Sequence, residues 1–478
     1  MPRFARFSLF SGRRAAALLL LLLLVARADA PRCQDAAPGP APVKYVFLFI
    51  GDGMALPQQM LANEFLRVTE KRGLSWSDMP FHAVTRNHSA NSLITDSAAS
   101  ATAIACGEKT DNNRVGVAPD GRRLESVAEA ARGAGRKVGV ISSENPNNTT
   151  PACFYAHNKS RSNYYEIGLD MIASNFDYFG GGRLAYEDDE KSPAYKGNLY
   201  ELAREAGYAY FLTEKEFRAV DEKPGDGGKI IAAVNISYAI DALPGSPRLP
   251  DFVRQAIARL DNPRGFFLMA EGAKIDWAGH QNDAATLVRD IMELDEAVRA
   301  ALDFADKHPD DTLIVVTGDH ETGGLTIMDG YRVGGFLDSL ALQKASKAAI
   351  AARIKSLGKE RGEGMAFADL HPTLTENTGL HFAAPGKAPV KDRMALTGGE
   401  QDELERIFAK KAEDFQKMAD QLADAVVRLV NKRAGVAFST GGHAALPVLT
   451  SARGPGAQAF SGAIDNTDLG KLLKELVR

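Results

Sequence analysis

The chain has 478 residues, 45% of them hydrophobic and 25% charged, an ordinary globular composition that excludes disorder for most of its length. The formal net charge is −4 at pH 7, which excludes nucleic-acid binding through a general basic surface. Only 3 cysteines are present, too few to expect a fold held by disulfides.

An export signal is predicted over residues 1–30. Four arginines precede the apolar run AAALLLLLLLVA, and the small residues of ARADA follow it. This run is shorter than the roughly 20 apolar residues that span a bilayer. We therefore expect cleavage, a periplasmic or secreted location and no membrane span in the mature chain. The pair Arg13 and Arg14 leaves Sec and twin-arginine export both open.

Short apolar runs then recur between amphipathic stretches. Continuous runs of this kind predict strands covered on both faces, and hence a largely parallel sheet. The stretches between them have the apolar stripe of surface helices. The expected fold class is α/β, with a largely parallel central sheet flanked by helices on both faces. The predicted strands are 44–50, 136–142, 264–270, 311–317 and 435–440.

The alternation of apolar runs and amphipathic stretches is interrupted at residues 325–400, which contain loops rich in Gly, Pro and Lys. A long amphipathic helix is predicted after them, over about 401–432. We interpret about 325–432 as a helical and loop insertion before the last strands, either covering the site or packing against a partner subunit. Residues 31–43 are interpreted as a linker and 44–478 as a single domain.

Four of the five predicted strands end in side chains that bind metal ions or phosphate. Ligands of open α/β sheets collect at the carboxyl ends of the strands. Carboxylates with imidazoles suit Zn²⁺, and oxygen donors alone suit Mg²⁺. Each residue alone has an ordinary role, such as a helix cap or a helical ion pair, but four strand ends together favour a metal site. The candidates are Asp52 in GDGM, Glu271, Asp276 and His280 in EGAKIDWAGH, Asp319 and His320 in TGDHETGG, and His443 in TGGH.

A candidate nucleophile lies in TDSAASATAIACG, residues 95–107, which predicts a helix that begins near Ser97. A hydroxyl at this point lies at the positive end of the helix dipole, beside free backbone N–H groups that bind phosphoryl oxygens. The ordinary alternative is that Ser97 is only the helix N-cap. Serine is a weak nucleophile that needs activation, which the predicted metal site would provide.

From about residue 44 onward, the chain resembles the alkaline phosphatase family, with the motifs in the family's order. They are GDGM, TDSAASATA, TTPACFYAH with a following Arg, EGAKIDWAGH, TGDHETGG, TGGH and DNTDLG. The resemblance implies two Zn²⁺ and one Mg²⁺. It implies that Arg161 clamps phosphate oxygens, for which its planar fork is suited. The implied ligands are Asp276, His280 and His443 for one zinc, Asp52, Asp319 and His320 for the other, and Asp52, Glu271 and Thr150 for magnesium.

The resemblance also implies an activity: hydrolysis of small-molecule phosphate monoesters through a phosphoserine intermediate at Ser97. A homodimer is compatible with it, since family members are commonly dimers. Two positions depart from well-known members: Asn148 replaces an Asp or His, and Trp277 replaces a Lys found in some bacterial members. We expect Asn148 to weaken the magnesium site and Trp277 to loosen phosphate binding.

Other functions remain as alternatives. A sulfatase would need a CxPxR-type segment, whereas Ser97 is followed by AASATA. A phosphodiesterase on the same metal core and a non-catalytic exported phosphate-binding protein are the other two. Cys106 and Cys153 are expected to be buried free thiols, with a bridge between them left open. The remaining histidines are expected to be structural or on the surface.

Overall fold

A ten-stranded sheet lies at the centre of the computed structural model, which describes residues 43–221, 228–328, 336–382 and 392–478. The predicted export signal lies outside these residues. The strands are β1 (Tyr45–Gly51), β2 (Phe81–Arg86), β3 (Lys137–Ser142), β4 (Tyr178–Gly181), β5 (Tyr208–Phe211), β6 (Lys229–Ala233), β7 (Phe266–Gly272), β8 (Thr312–Gly318), β9 (Glu321–Thr322), β10 (Leu325–Ile327), β11 (Val436–Phe438), β12 (His443–Ala444), β13 (Val448–Arg453) and β14 (Gly462–Asp465).

Helices follow most of the strands. They are α1 (Leu56–Thr69), α2 (Ser97–Cys106), α3 (Val127–Gly133), α4 (Thr149–Ala152), α5 (Tyr164–Ser174), α6 (Leu199–Glu205), α7 (Glu214–Asp221), α8 (Leu249–Leu260), α9 (Lys274–His280), α10 (Ala284–Ala305), α11 (Lys347–Arg361), α12 (His371–Thr378), α13 (Gly398–Phe408), α14 (Phe415–Ala434) and α15 (Asn466–Val477). Among the helices described, none has the length and apolarity needed to cross a membrane.

The strand order in the main sheet is β14-β2-β13-β8-β1-β7-β3-β4-β6-β5. Only β13 is antiparallel to its neighbours among these described strands, and the other pairs are parallel. The predicted α/β class with a largely parallel sheet is confirmed.

Side chains of the central strand β1 explain why the predicted strands are continuously apolar. Tyr45, Phe47 and Phe49 belong to one hydrophobic core, and the alternate residues Val46, Leu48 and Ile50 belong to a second core on the opposite face. Because successive side chains of a strand point to opposite faces, a strand covered on both faces has no polar positions.

The fifth predicted strand, 435–440, is not part of the main sheet. Its residues Val436–Phe438 form β11, which pairs antiparallel with β10 in a separate two-stranded sheet. His443 lies in β12, which pairs antiparallel with β9. An apolar run predicts a strand but not its partner, so the prediction of a fourth strand end at the same sheet edge was wrong.

Helices α11 to α14 lie between β10 and β11, in the segment that the sequence predicts to be an insertion. The predicted single helix over about 401–432 was wrong, because it is two helices with a short 3₁₀ turn, Ala409–Ala412, between them. Asp414 then begins α14 by accepting a hydrogen bond of 3.0 Å from the backbone N–H of Lys417. A local N-cap of this kind starts a new helix within an otherwise periodic sequence.

Both described cysteines are buried and free, as predicted: Cys106 lies at the end of α2 and Cys153 follows α4. Burial raises the pKa of Cys153 to about 12. A thiol with so high a pKa is unreactive at neutral pH. We assign these residues to the packing of α2 against α4.

Candidate active site

Three adjacent strands bring the predicted ligands to one edge of the sheet. Gly51 at the end of β1 is in register with Gly272 of β7 and with Gly318 of β8. The segments that carry Asp52, Asp276 and Asp319 therefore leave the sheet at the same level.

A tight turn at Gly53 keeps Asp52 close to the other two segments. Gly53 has a φ of 69°, and a Cβ atom there would lie 2.8 Å from Oγ1 of Thr322 and 2.9 Å from Cα of Asp276. Its backbone N–H donates a hydrogen bond of 3.0 Å to Oδ1 of Asp319. The conformation and the space both require glycine at this position.

The first donor set consists of Asp52, Asp319 and His320, all of them buried. Nε2 of His320 lies 3.2 Å from Oδ1 of Asp52 and 3.4 Å from Oδ2 of Asp319. These two carboxylate oxygens have no hydrogen-bond partner although both are buried. Buried oxygens are rarely left without a partner, so converging oxygens beside an imidazole nitrogen fit a divalent cation such as Zn²⁺.

The second donor set consists of Asp276, His280 and His443. Nε2 of His280 lies 3.3 Å from Oδ2 of Asp276 and 3.3 Å from Nε2 of His443. Nε2 of His443 lies 3.6 Å from Oδ1 of Asp276. Nδ1 of His280 is bonded to the carbonyl of Gly441, and Nδ1 of His443 to that of Thr95. Because a carbonyl can only accept, each Nδ1 carries a proton, so Nε2 is the nitrogen that would bind a metal. In His280 this requires loss of the proton that Nε2 shares with Asp276.

The two donor sets lie side by side. The imidazole rings of His320 and His443 stack with their centroids 3.7 Å apart. Donor atoms of Asp276, His320 and His443 all lie within 4.8 Å of one another. This closeness suits two cations that act on one substrate.

Ser97 lies beside the first donor set. Its Oγ is 3.2 Å from Nε2 of His320, and it is the first residue of α2. The alternative that Ser97 is the helix N-cap was wrong, because Asp96 is the N-cap and accepts a hydrogen bond of 2.9 Å from the N–H of Ala99. The hydroxyl of Ser97 is therefore not used for capping.

Arg161 is held near the nucleophile through the same cap residue. Its Nη1 donates a hydrogen bond of 3.3 Å to Oδ2 of Asp96. That oxygen also accepts a bond of 2.8 Å from the N–H of Asn113. Asp96 thus caps α2 with one oxygen and binds Arg161 with the other, a link that the sequence analysis missed.

The candidate third site is built around Glu271, which is buried and accepts hydrogen bonds from the hydroxyls of Ser142 and Thr150. Burial raises its pKa to about 8. Asn148 is the N-cap of α4 and accepts a hydrogen bond of 2.6 Å from the N–H of Thr149. The structure brings Glu271 and Thr150 together, whereas the Asn148 oxygen is used for capping.

Burial dominates the electrostatics of the donor sets. It raises the pKa of Asp52 well above its usual value and that of Asp319 to about 7, and the charges of neighbouring carboxylates act in the same direction. Burial also raises the pKa of Asp276, but the hydrogen bonds from His280 and Thr322 and the charges of the neighbouring imidazoles together outweigh it and lower the pKa to about 2. The hydrogen bond with Asp276 raises the pKa of His280 to about 9. So many buried carboxylates repel one another until cations neutralise them.

Thr322 also belongs to the site and was not among the predicted residues. Its hydroxyl donates a hydrogen bond of 2.6 Å to Oδ1 of Asp276 and lies 3.2 Å from Nδ1 of His320. It lies only two residues after His320 in the TGDHETGG motif. Its place in that motif is the only signal that could have identified it.

Comparison with known proteins gives a consistent result. A sequence profile described as alkaline phosphatase matches residues 43–478. The chain is 30% identical over 444 residues to alkaline phosphatase 3 of Bacillus subtilis, covering 90% of this chain and 88% of that one. It is 29% identical over 456 residues to alkaline phosphatase 4 of the same organism, covering 92% and 89%. The cold-active alkaline phosphatase of a psychrophilic Shewanella species is similar in structure, with a TM-score of 0.76, 26% identity and coverage of 91% and 100%. The chain belongs to the alkaline phosphatase family.

Proposed function

We propose that this phosphatase hydrolyses phosphate monoesters by double displacement through a phosphoserine at Ser97, in a centre that holds two Zn²⁺ and one Mg²⁺. The observation that carries the proposal is the position of the Ser97 hydroxyl. It is 3.2 Å from Nε2 of His320, between the start of α2 and a donor set with two unpartnered carboxylate oxygens.

The residues fit three cations in different ways. The nitrogen and oxygen donors of the first and second sets suit zinc, and the oxygen donors around Glu271 and Thr150 suit magnesium. When bound, such cations stabilise the charge on the attacking and leaving oxygens. The carboxylate of Asp52 is influenced by the charges of both Asp319 and Glu271, and it would be shared between the first set and the magnesium site.

The protein's own residues carry out the remaining steps. Ser97 gives its proton to solvent and its Oγ forms a bond to phosphorus, while the bond from phosphorus to the leaving oxygen breaks and that oxygen takes up a proton from water. Free N–H groups at the start of α2 and the guanidinium of Arg161 hold the non-bridging phosphoryl oxygens. Water then attacks the phosphoserine, which releases phosphate and restores Ser97.

The proposal is tested first with Ser97→Ala. We expect turnover of an aryl phosphate monoester to fall at least about 1000-fold, because the nucleophile is lost. Acid-quenched native enzyme is expected to contain phosphoserine at position 97 by peptide mass spectrometry. The matched control is Ser126→Ala, which removes a serine from the start of another helix, α3. Normal turnover by the Ser97→Ala variant would disprove the mechanism.

The alternatives are separated by substrate. An aryl monoester is expected to be hydrolysed faster than the corresponding bis-aryl diester. A strong preference for the diester would identify a phosphodiesterase. Tight phosphate binding without turnover of either ester, in zinc- and magnesium-loaded protein, would identify a binding protein.

A further inference from the structure

Lys274 is a buried cation next to the metal centre that the proposed mechanism does not use. Lys274 as a whole is only 7% exposed, and its Nζ lies 3.3 Å from Oε2 of Glu144. The same Nζ lies 4.4 Å from the centroid of the Trp277 ring and 5.6 Å from that of Tyr238. Buried lysines are rare and need partners, and here the partners are one carboxylate and two aromatic rings.

These contacts lie on a separate face of α9. Asp276 and His280 point into the second donor set, whereas Lys274 and Trp277, three residues apart, lie together on another face. Gln281 is one turn after Trp277, and its Nε2 donates a hydrogen bond of 3.0 Å to the hydroxyl of Tyr238. One short helix thus carries the ligands on one face and the indole on the neighbouring face, about 100° further round the helix axis.

The side chain of Trp277 is exposed and is carried by the residue next to a member of the second donor set. Trp277 is 38% exposed, while the chain's other tryptophan, Trp76, is 1% exposed. The side chain of His280 is 40% exposed, but that of His320, beside Ser97, is only 1% exposed. A phosphate ester bound at Ser97 must therefore direct its organic group towards the second donor set. Trp277 directly follows Asp276, so their Cα atoms are about 3.8 Å apart.

We propose that Trp277 is an aromatic subsite for the organic group of the ester, and that Lys274 and Glu144 are positioning residues that fix its ring. Aromatic rings in offset or edge contact gain more than their buried area provides. The enzyme then prefers aryl to alkyl phosphate monoesters. This inference rests on the proposed function, whose substrate class it narrows.

Selectivity tests the subsite in the metal-loaded enzyme. For Trp277→Ala, we expect kcat/KM for 1-naphthyl phosphate to fall about 3- to 10-fold more than kcat/KM for glycerol phosphate, mainly through KM. Lys274→Met is expected to lose part of the same selectivity, and Lys274→Arg to retain it. The matched control is Lys229→Met, which removes a lysine that also lies 4.4 Å from an aromatic centroid, that of Tyr208, at the far end of the sheet. An unchanged ratio in Trp277→Ala would overturn the inference.

Fluorescence tests the positioning role without turnover. Iodide quenches exposed tryptophan, so the signal lost in Trp277→Phe reports on Trp277, since Trp76 is buried. We expect 1-naphthylphosphonate to protect Trp277 from iodide and methylphosphonate not to do so, with greater quenching in Lys274→Met than in Lys229→Met. Equal quenching in these two variants would disprove the role of Lys274. If the native, metal-loaded protein turned over neither ester while 1-naphthylphosphonate still protected Trp277 from iodide, the proposed function would be refuted instead.

Discussion

A single hydroxyl connects the two donor sets at the residue scale. Thr322 Oγ1 has one proton, which it donates to the carboxylate of Asp276, so towards His320 it can only accept. His320 therefore carries its proton on Nδ1, and its Nε2 is free to face Asp52, Asp319 and Ser97. One threonine sets the tautomer of a ligand in the first donor set while it orients a ligand in the second.

Thr322→Val keeps the shape of this side chain and removes the hydroxyl. We expect zinc affinity to fall about 10- to 100-fold, the usual effect of losing a group that orients metal ligands. Competition with a chromophoric chelator measures this affinity directly. Thr326→Val is the matched control, because Thr326 is exposed in the nearby strand β10. Equal zinc affinity in the two variants would show that Thr322 does not orient the ligands.

The candidate site residues could be proposed from the sequence because most of them lie within a recognisable motif. The geometry between them was not predictable, because it depends on how separate segments meet in space. Asp96 shows this: its position before Ala-rich residues predicts a helix start, but only the structure shows that it is the cap and that it also binds Arg161. Thr322 likewise has no distinctive spacing of its own.

At the scale of elements, one carboxylate holds together the two helices that the sequence predicted as one. Glu400 accepts a hydrogen bond of 3.0 Å from the N–H of Thr397 at the start of α13. It also binds Lys432 at 3.0 Å and Arg433 at 2.6 Å near the end of α14. The apolar periodicity continues through both helices, so it does not reveal the turn between them. The start of α13 and the end of α14 meet only in the folded protein, so the periodicity of the sequence does not predict their contact through Glu400.

Glu400→Gln tests this clamp. We expect a loss of about 2 kcal/mol in the free energy of unfolding, because hydrogen bonds to charged groups contribute more than neutral ones. The hydrogen bond with Arg433 lowers the pKa of Glu400 below its ordinary value of 4.5. The stabilisation that ionised Glu400 gives to the fold is therefore complete above about pH 4.5. It is lost as the pH falls towards the lowered pKa of Glu400 in the folded protein.

Urea unfolding at pH 7 and at pH 3 measures the free energy of unfolding. The difference in this free energy between the Glu400→Gln variant and the native protein should be smaller at pH 3 than at pH 7. Glu403→Gln is the control, because the pair of Glu403 with Arg428 is exposed and contributes little. An equal loss of stability in both glutamine variants would show that Glu400 is not a special contact.

At the scale of the whole molecule, two hydrophobic cores support a concentration of negative charge at one sheet edge. Asp52, Glu271, Asp276 and Asp319 are all buried where β1, β7 and β8 end. A protein without metal must hold these groups at the expense of its stability. Metal binding is thus expected to stabilise the whole fold as well as the site.

Metal removal with a chelator is expected to lower Tm, since a ligand at 1000 times its Kd adds about 4 kcal/mol of stability. Asp319→Asn should lower the Tm of metal-loaded protein but raise that of metal-free protein at pH 8, because it removes a buried charge. Burial raises the pKa of Asp319 from 3.8 to about 7, so metal-free native protein should lose stability as the pH rises between these values. Calorimetry of metal-loaded and metal-free protein measures Tm and so checks the direction of each change.

Asp303→Asn is the control for this pair of measurements, because Asp303 is exposed on α10. It should leave Tm unchanged with and without metal. A metal-free Asp319→Asn protein that melts below metal-free native protein would show that charge repulsion is not what the metals relieve.

The short pairing of β10 with β11 has a consequence for the evolution of the enzyme. Leu325 pairs with Phe438 and Ile327 with Val436, so the chain leaves and re-enters the body of the protein at neighbouring points. His320 and His443 lie outside this junction. The helices between the paired strands share one hydrophobic core with β1. We therefore expect that chimaeras joined at this junction keep both imidazoles in place only where the exchanged segment keeps its core-facing residues.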